Sequence, residues 1–158
     1  MNKALFLDRD GVLNFGIKGS GYTYLVEDFF LLEHSIPTLK KYQSKGYLLI
    51  VITNQGGISK GIYNKKDVEN IHSEMIQTFL KNGVQIDDIY FCPHHNEIEN
   101  CLCRKPKSIM LEKAIAKYDI DVTNSFMVGD SITDIQAAEN VGLKGILINE
   151  NEPLSNYI

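Results

Sequence analysis

Five short apolar runs punctuate the chain, separated by longer stretches in which apolar and polar positions alternate with a helical period. The first begins at Ala4 and reaches Leu13, but its apolar character breaks at Asp8-Arg9-Asp10-Gly11. Tyr47 to Thr53 is almost unbroken and rich in branched residues, and Asp88 to Phe91, Ser125 to Val128 and Lys144 to Ile148 complete the series. Runs without in-and-out alternation are expected of strands covered on both faces. Between them the spacing predicts helices. Ser35 is placed to cap the first, with Pro37 in its first turn, Leu39 and Tyr42 facing inward and Gly46 as the stop. Asn64 with Asp67 opens a second, in which Val68, Ile71, Met75, Phe79 and Leu80 share a face and Gly83 closes the element. Ser108 to Tyr118 and Ile132 to Val141 are the third and fourth, the latter ended by Gly142. Asn14 to Gly21 reads as a loop, Tyr22 to Glu33 holds at most a short extended piece at Phe29 to Leu32, and the residues after Ile148 read as a polar tail. Strands alternating with helices predict an α/β fold: a doubly wound, Rossmann-like, mainly parallel sheet of about five strands with helices on both faces.

Composition narrows the picture. With 158 residues, 44% of them hydrophobic, the chain suits one domain over 1–158. A net charge of -4 argues against a nucleic-acid partner, and no basic run suggests a membrane surface. There is neither a signal-peptide pattern nor an apolar stretch of ~20 residues, so a cytoplasmic location is expected; a monomer acting on a small molecule is the expected state. The three cysteines, Cys92, Cys101 and Cys103, crowd one segment, which favours metal binding over a disulfide framework.

In a doubly wound sheet, ligands bind beyond the carboxyl ends of the strands. The tips there carry Asp8 and Asp10, Thr53 and Asn54, and Gly129-Asp130 with Asp134 following. Carboxylates gathered in one crevice repel unless a cation lies among them, and a hard oxygen cluster with open positions suits Mg²⁺, which in turn takes phosphate oxygens. A calcium loop starting at Asp8 is the competing reading. Gly11 falls at the wrong place for it, and Gly19 stands where its last glutamate belongs. Cys92-Pro-His94-His95 and Cys101-Leu-Cys103-Arg104-Lys105 supply three thiols and a histidine with six residues between the halves, a spacing that suits one closed Cys₃His zinc site with either histidine. His34 and His72 read as surface or packing residues.

Four motifs, Asp8-Arg-Asp10-Gly11-Val12, Thr53-Asn54, Lys105, and Gly129-Asp130 with Asp134, stand in an order that resembles the haloacid dehalogenase-like (HAD) phosphohydrolases. The resemblance implies that Asp8 is the nucleophile, forming an aspartyl-phosphate, and that Asp10 is the general acid and base. It implies that Mg²⁺ is held by Asp8, the Asp10 backbone carbonyl and Asp130, and that Thr53 and Lys105 steady the phosphoryl oxygens. It also selects His94 over His95 beside Cys92, Cys101 and Cys103 in a structural zinc loop spanning 92–103. No large cap domain is expected. The zinc loop narrows the resemblance to the branch of the heptose 1,7-bisphosphate 7-phosphatases and the histidinol-phosphate phosphatases. Gly57-Ile58-Ser59-Lys60-Gly61, Asn14 and Gly21-Tyr22 lean to the sugar bisphosphate; the short His94 to Cys101 spacing and the Thr133 to Asn140 segment lean to histidinol phosphate. The first reading is preferred because its features line the expected pocket. Asn54, Gln55 and Arg104 are the expected substrate contacts, Arg104 because a guanidinium grips a second phosphate bidentately. Ser131 and Asp134 receive no role. A phosphotransferase and a catalytically silent, zinc-stapled binding module are the rival classes.

Overall fold

The computed structural model describes residues 1–17 and 21–158; part of the loop expected over Asn14 to Gly21 therefore lies outside the described residues. Strands β1 (Lys3–Leu7), β2 (Tyr47–Asn54), β3 (Asp88–Cys92), β4 (Phe126–Gly129) and β5 (Lys144–Leu147) pair in parallel in the order β3-β2-β1-β4-β5. The chain first winds outward from β1 to β3, then returns to start again at β4. This reversal places a crevice between the carboxyl ends of β1 and β4, beyond Leu7 and Val128, which stand in register.

The strand alternation explains the two cores. Leu5, Leu7, Leu49, Val51 and Val128 point to one face, under helices α1 (Ile36–Ser44) and α2 (Lys65–Lys81), whose Leu39, Met75 and Phe79 close over them. Ala4, Phe6, Ile50, Ile52 and Met127 point to the other, covered by α3 (Ile109–Tyr118) and α4 (Ile132–Glu139) through Met110, Leu111, Ala114, Ala137 and Ala138. Both faces of the central strands are dry, which is why their sequences are continuous apolar runs. Among the described residues, no helix is long and apolar enough to cross a membrane.

Several details depart from the sequence reading. Ser35 does not cap α1: a 3-10 turn over Glu33–Ser35 runs straight into the helix, Ser35 is already helical, and its buried hydroxyl makes no hydrogen bond. Asn64 does cap α2, in a reciprocal box with Asp67. Leu80 lies 62% exposed, one position past the buried stripe that Phe79 ends. Helix α4 stops at Glu139 and β5 at Leu147, each short of the expected end. The expected extended piece at Phe29 to Leu32 appears as a single bridge between Leu31 and Asn14. The tail is the largest correction. Leu154 is fully buried in the first core, Tyr157 and Ile158 pack beside it, and Asn151 fastens the loop after β1 by accepting from Gly16 N (2.7 Å) and donating its own N–H to Gly11 O (2.8 Å).

Candidate active site

Asp8 leaves the end of β1 at the crevice, its backbone N–H donating to Val128 O at 3.0 Å. Gly11 turns the chain back with φ +80°, and a side chain there would press within 2.4 Å of Asp130 Oδ2, so the turn requires glycine twice over. Lys105 arrives from the far side of β2. Its ammonium is buried and reaches Asp8 Oδ1 (2.8 Å), Asp134 Oδ1 (2.6 Å) and Ile52 O (2.7 Å). Its main chain is clasped by the Asn54 amide, which accepts from Lys105 N (3.0 Å) and donates to Lys105 O (3.2 Å). Asn54, expected at the substrate, thus lines the cavity while its polar atoms are committed to placing Lys105.

Asp134 and Ser131 acquire roles that the motif pattern left open. Ser131 caps α4, with its hydroxyl accepting from Thr133 N and the Asp134 carboxylate accepting from Ser131 N (3.0 Å). One buried carboxylate therefore starts a helix and anchors Lys105.

The second carboxylate, Asp10, sits in a denser net. Asn14 Nδ2 and Arg9 Nη2 each donate to its Oδ1 at 3.0 Å, and Gln55 Nε2 donates to its Oδ2 at 3.0 Å and to Thr53 Oγ1 at 2.9 Å. Gln55, expected to touch substrate, is buried behind Asp10 and receives the Tyr63 hydroxyl proton on its Oε1 (2.8 Å). Arg9 and Tyr63 escaped the sequence reading. Neither carries a motif of its own, and a strand-tip arginine is ordinarily read as solvent-facing.

The two aspartates are tuned in opposite directions. Burial raises Asp8, and together with repulsion from Asp134 and Asp130 it outweighs the relief given by Lys105, leaving its pKa at about 7. Burial also raises Asp130, aided by the negative charges of Asp134 and Glu150, to about 6. Burial acts on Asp10 too, but the Arg9 guanidinium and the hydrogen bonds from Asn14, Arg9 and Gln55 overcome it and hold the carboxyl below its usual range. The crevice thus gathers more carboxyl groups than Lys105 alone can neutralise. It encloses a cavity of about 270 Å³ lined by Asp8, Asp10, Tyr22, Thr23, Thr53, Asn54, Arg104, Lys105, Asp130, Ser131 and Glu150, among others. Glu150, from the segment dismissed as a tail, belongs to this wall.

A second polar cluster lies beside it. Cys92 Sγ, His94 Nδ1, Cys101 Sγ and Cys103 Sγ all fall within 4.8 Å of one another, and the three cysteines are free thiols. His95 turns away, its Nδ1 lying 3.6 Å from Glu97. The loop is stitched to the residues after β2: Ser59 N donates to Pro93 O, Ser59 Oγ accepts from His95 N, and Lys60 pairs with Glu97 at 2.9 Å. Arg104 Nη1 donates to His94 O at 3.0 Å while its side chain also lines the cavity.

Comparison with known proteins agrees with this arrangement. A HAD-hydrolase-like family model matches residues 102–152. The chain is 43% identical over 156 residues to D-glycero-alpha-D-manno-heptose-1,7-bisphosphate 7-phosphatase from Campylobacter jejuni, covering 98% of this chain and 87% of the relative. The chain belongs to the heptose-bisphosphate phosphatase family of HAD-like hydrolases. Another member of the family, the beta-anomer 7-phosphatase of Pasteurella multocida, is 38% identical over 98% of this chain and 86% of its own length. Among solved structures, the D,D-heptose 1,7-bisphosphate phosphatase of B. bronchiseptica, complexed with magnesium and phosphate, superimposes with a TM-score of 0.85 at 29% identity, covering 98% of this chain and 86% of that one. The doubly wound sheet expected from the sequence is the family's fold.

Proposed function

We propose that this protein removes the 7-phosphate of D-glycero-D-manno-heptose 1,7-bisphosphate, in a Mg²⁺-dependent hydrolysis through an aspartyl-phosphate on Asp8. The observation that carries the reading is the juxtaposition at the switch point of Asp8, anchored by Lys105, with a separately held Asp10; the similarity to the Campylobacter jejuni enzyme supplies the substrate.

The residues fit a hard divalent cation. Asp8, Asp130 and Asp134 place carboxylate oxygens within 4.8 Å of one another, Asp134 is already engaged by Lys105, and Asp8 and Asp130 carry pKa values raised by burial and by their negative neighbours. Asp8 and Asp130, with the Asp10 carbonyl, would hold Mg²⁺, which supplies the charge that keeps Asp8 ionised and draws in phosphate oxygens.

The chain's own groups do the rest. Asp8 attacks phosphorus while Lys105 and Thr53 steady the equatorial oxygens. Asp10 protonates the departing sugar oxygen, then takes a proton from the water that hydrolyses the aspartyl-phosphate. The Arg9 environment favours the anionic, base form of Asp10 in the free site. Arrival of a phosphate dianion beside it raises its proton affinity, giving the acid form when it is needed. Arg104 contacts the distal part of the substrate, and the protein works in the cytoplasm as a monomer.

Cys92, His94, Cys101 and Cys103 hold a structural Zn²⁺. The Cys92 to Cys101 separation of 3.7 Å and the Cys92 to His94 separation of 3.6 Å are close to the edge of a tetrahedron with Zn–S bonds of about 2.3 Å, whereas Cys103 lies nearer than that edge, 2.9 Å from Cys92 and 3.2 Å from His94. Four protein ligands leave no place for a water, so the ion acts by fixing the loop that ends in Arg104 and Lys105.

The test is phosphate release from both anomers of the heptose bisphosphate and from histidinol phosphate, with and without Mg²⁺, alongside metal analysis. Magnesium-dependent release from the bisphosphate, far above that from histidinol phosphate, is expected. Comparable low rates on both would overturn the substrate assignment, and undiminished turnover in EDTA-treated protein would overturn the metal assignment.

A further inference from the structure

Arg9 stands between the two aspartates in sequence, yet its side chain turns inward and is fully buried. Its guanidinium joins three separate parts of the chain. Nη2 donates to Asp10 Oδ1 (3.0 Å) and to the carbonyl of Thr23 (3.0 Å), and Nη1 faces His72 Nε2 on α2 at 3.4 Å. Arginine offers only donors, so the His72 Nε2 is the acceptor and its imidazole is neutral. Burial and the adjacent Arg9 charge push the His72 pKa down to about 3, which agrees with a neutral ring. A second route runs parallel to the first. Tyr63, which holds Gln55 against Asp10, stacks on Tyr24 (centroids 5.2 Å apart) and meets the edge of Tyr22 at 5.7 Å. Tyr22 and Thr23 line the cavity.

Burying a guanidinium is costly, and a salt bridge to the neighbouring Asp10 could have been made from solvent. What burial adds is the simultaneous grip on Thr23 and His72. We propose that Arg9 is a positioning residue that holds the Asp10 carboxyl and the substrate-facing Tyr22–Thr23 segment in one register, with His72 fixing the far side of the guanidinium. The inference rests on the reading of Asp10 as the group that protonates the leaving oxygen. In that step the Asp8 oxygen to phosphorus bond forms, the bond from phosphorus to the sugar oxygen breaks, and the Asp10 proton passes to that oxygen. A planar fork can make the three contacts together; a lysine ammonium on a different stem cannot.

The test exploits the leaving group. p-Nitrophenolate departs without a proton, whereas a sugar alkoxide needs one. Single-turnover rates of the first step are measured for the sugar bisphosphate and for p-nitrophenyl phosphate in the full-length chain. Arg9→Lys is expected to slow the sugar reaction about 100-fold and to raise KM for the sugar, with the p-nitrophenol burst little changed. His72→Leu is expected to shift the same ratio less, and His72→Gln, whose amide oxygen accepts from Nη1, to restore it. Equal losses on both substrates in Arg9→Lys would overturn the proposal by showing general damage to the fold. Should Arg9→Lys fail to fold, a His72→Leu protein with the wild-type ratio would overturn it equally. Asp10→Asn separates the two layers: if it too lowers both rates equally, the acid assignment has failed, and if it alone distorts the ratio, only the Arg9 inference has.

Discussion

The carboxylate crevice and the thiol cluster are neighbours built on opposite plans. The crevice gathers Asp8 and Asp10, Asp130 and Asp134, and Lys105 from segments far apart in sequence, and ties them together by part-buried hydrogen bonds beyond the end of a dry sheet. The thiol cluster takes all four of its ligand atoms from twelve consecutive residues, Cys92 at the end of β3 and the other three from the loop that follows it. The first can exist without its ion because the sheet positions Asp8 and Asp130 regardless. The second is held by the hydrogen bonds to the residues after β2, by those that Arg104 makes to His94 O and Cys101 Sγ, and by the ion it is proposed to bind. On the proposed reading, metal at the crevice would govern chemistry and metal at the thiols would govern structure.

The strongest way to break this contrast is at the nucleophile. Asp8→Asn is expected to lower kcat by at least about 10⁴-fold, measured as phosphate release, while the melting temperature stays level or rises because a repelling charge has gone. A large drop in melting temperature would show that the crevice carries the fold. The reverse pattern is expected at the thiols. Cys103→Ser, or zinc removal by a strong chelator, should lower the melting temperature and reduce kcat/KM by about 10- to 100-fold, with Asp8 chemistry surviving as slow turnover. Retained stability and activity in zinc-free protein, checked by metal analysis, would refute the structural role.

A third test uses the sign of the pKa shifts. Asp8 and Asp130 have folded-state pKa values of about 7 and about 6, above the ordinary carboxylate value, so their contribution to stability is full below about pH 4 and is lost as pH rises through 6 to 7. His72 acts in the other direction, with its contribution present above its ordinary value and lost as pH falls from there towards 3. The reading is therefore cleanest above pH 6.5. Magnesium-free protein is expected to melt lower at pH 8 than at pH 6.5, and added Mg²⁺ should raise the melting temperature more at pH 8. A magnesium effect that does not grow with pH would contradict the charge deficit. The smallest effect is expected at the α4 cap: Ser131→Ala should cost about 1 kcal/mol in denaturant unfolding and move kcat modestly, through Asp134 and Lys105.

What the sequence revealed follows the same division. The central strands were legible because burial on both faces leaves an apolar run, and the thiol cluster because its ligands are close in sequence. The motif aspartates and Lys105 were legible through their order along the chain. Arg9 was not, since nothing local marks an arginine that turns inward. Gln55 and Asn54 were placed at the right tip with their contacts missed: amide side chains serve substrate and scaffold equally well, and only the fold decides. The segment after β5 read as a tail because Leu154, Tyr157 and Ile158 are too few and too scattered to form a periodic pattern, although they close one core and carry Glu150 and Asn151 to the active site.

The Asn54 clasp also bears on how such an enzyme can change its substrate. Because Asn54 grips the main chain of Lys105, the lysine proposed to steady the phosphoryl group is pinned at the seam where the loop rejoins the core. Upstream of that seam, the stretch from Asn96 to Asn100 carries none of the four candidate ligands and is expected to tolerate changes of length and sequence while the ammonium stays on Asp8. The loop is thereby a replaceable cassette, and a laboratory graft that keeps Asn54, Lys105 and the four metal ligands is the natural unit with which to redesign selectivity.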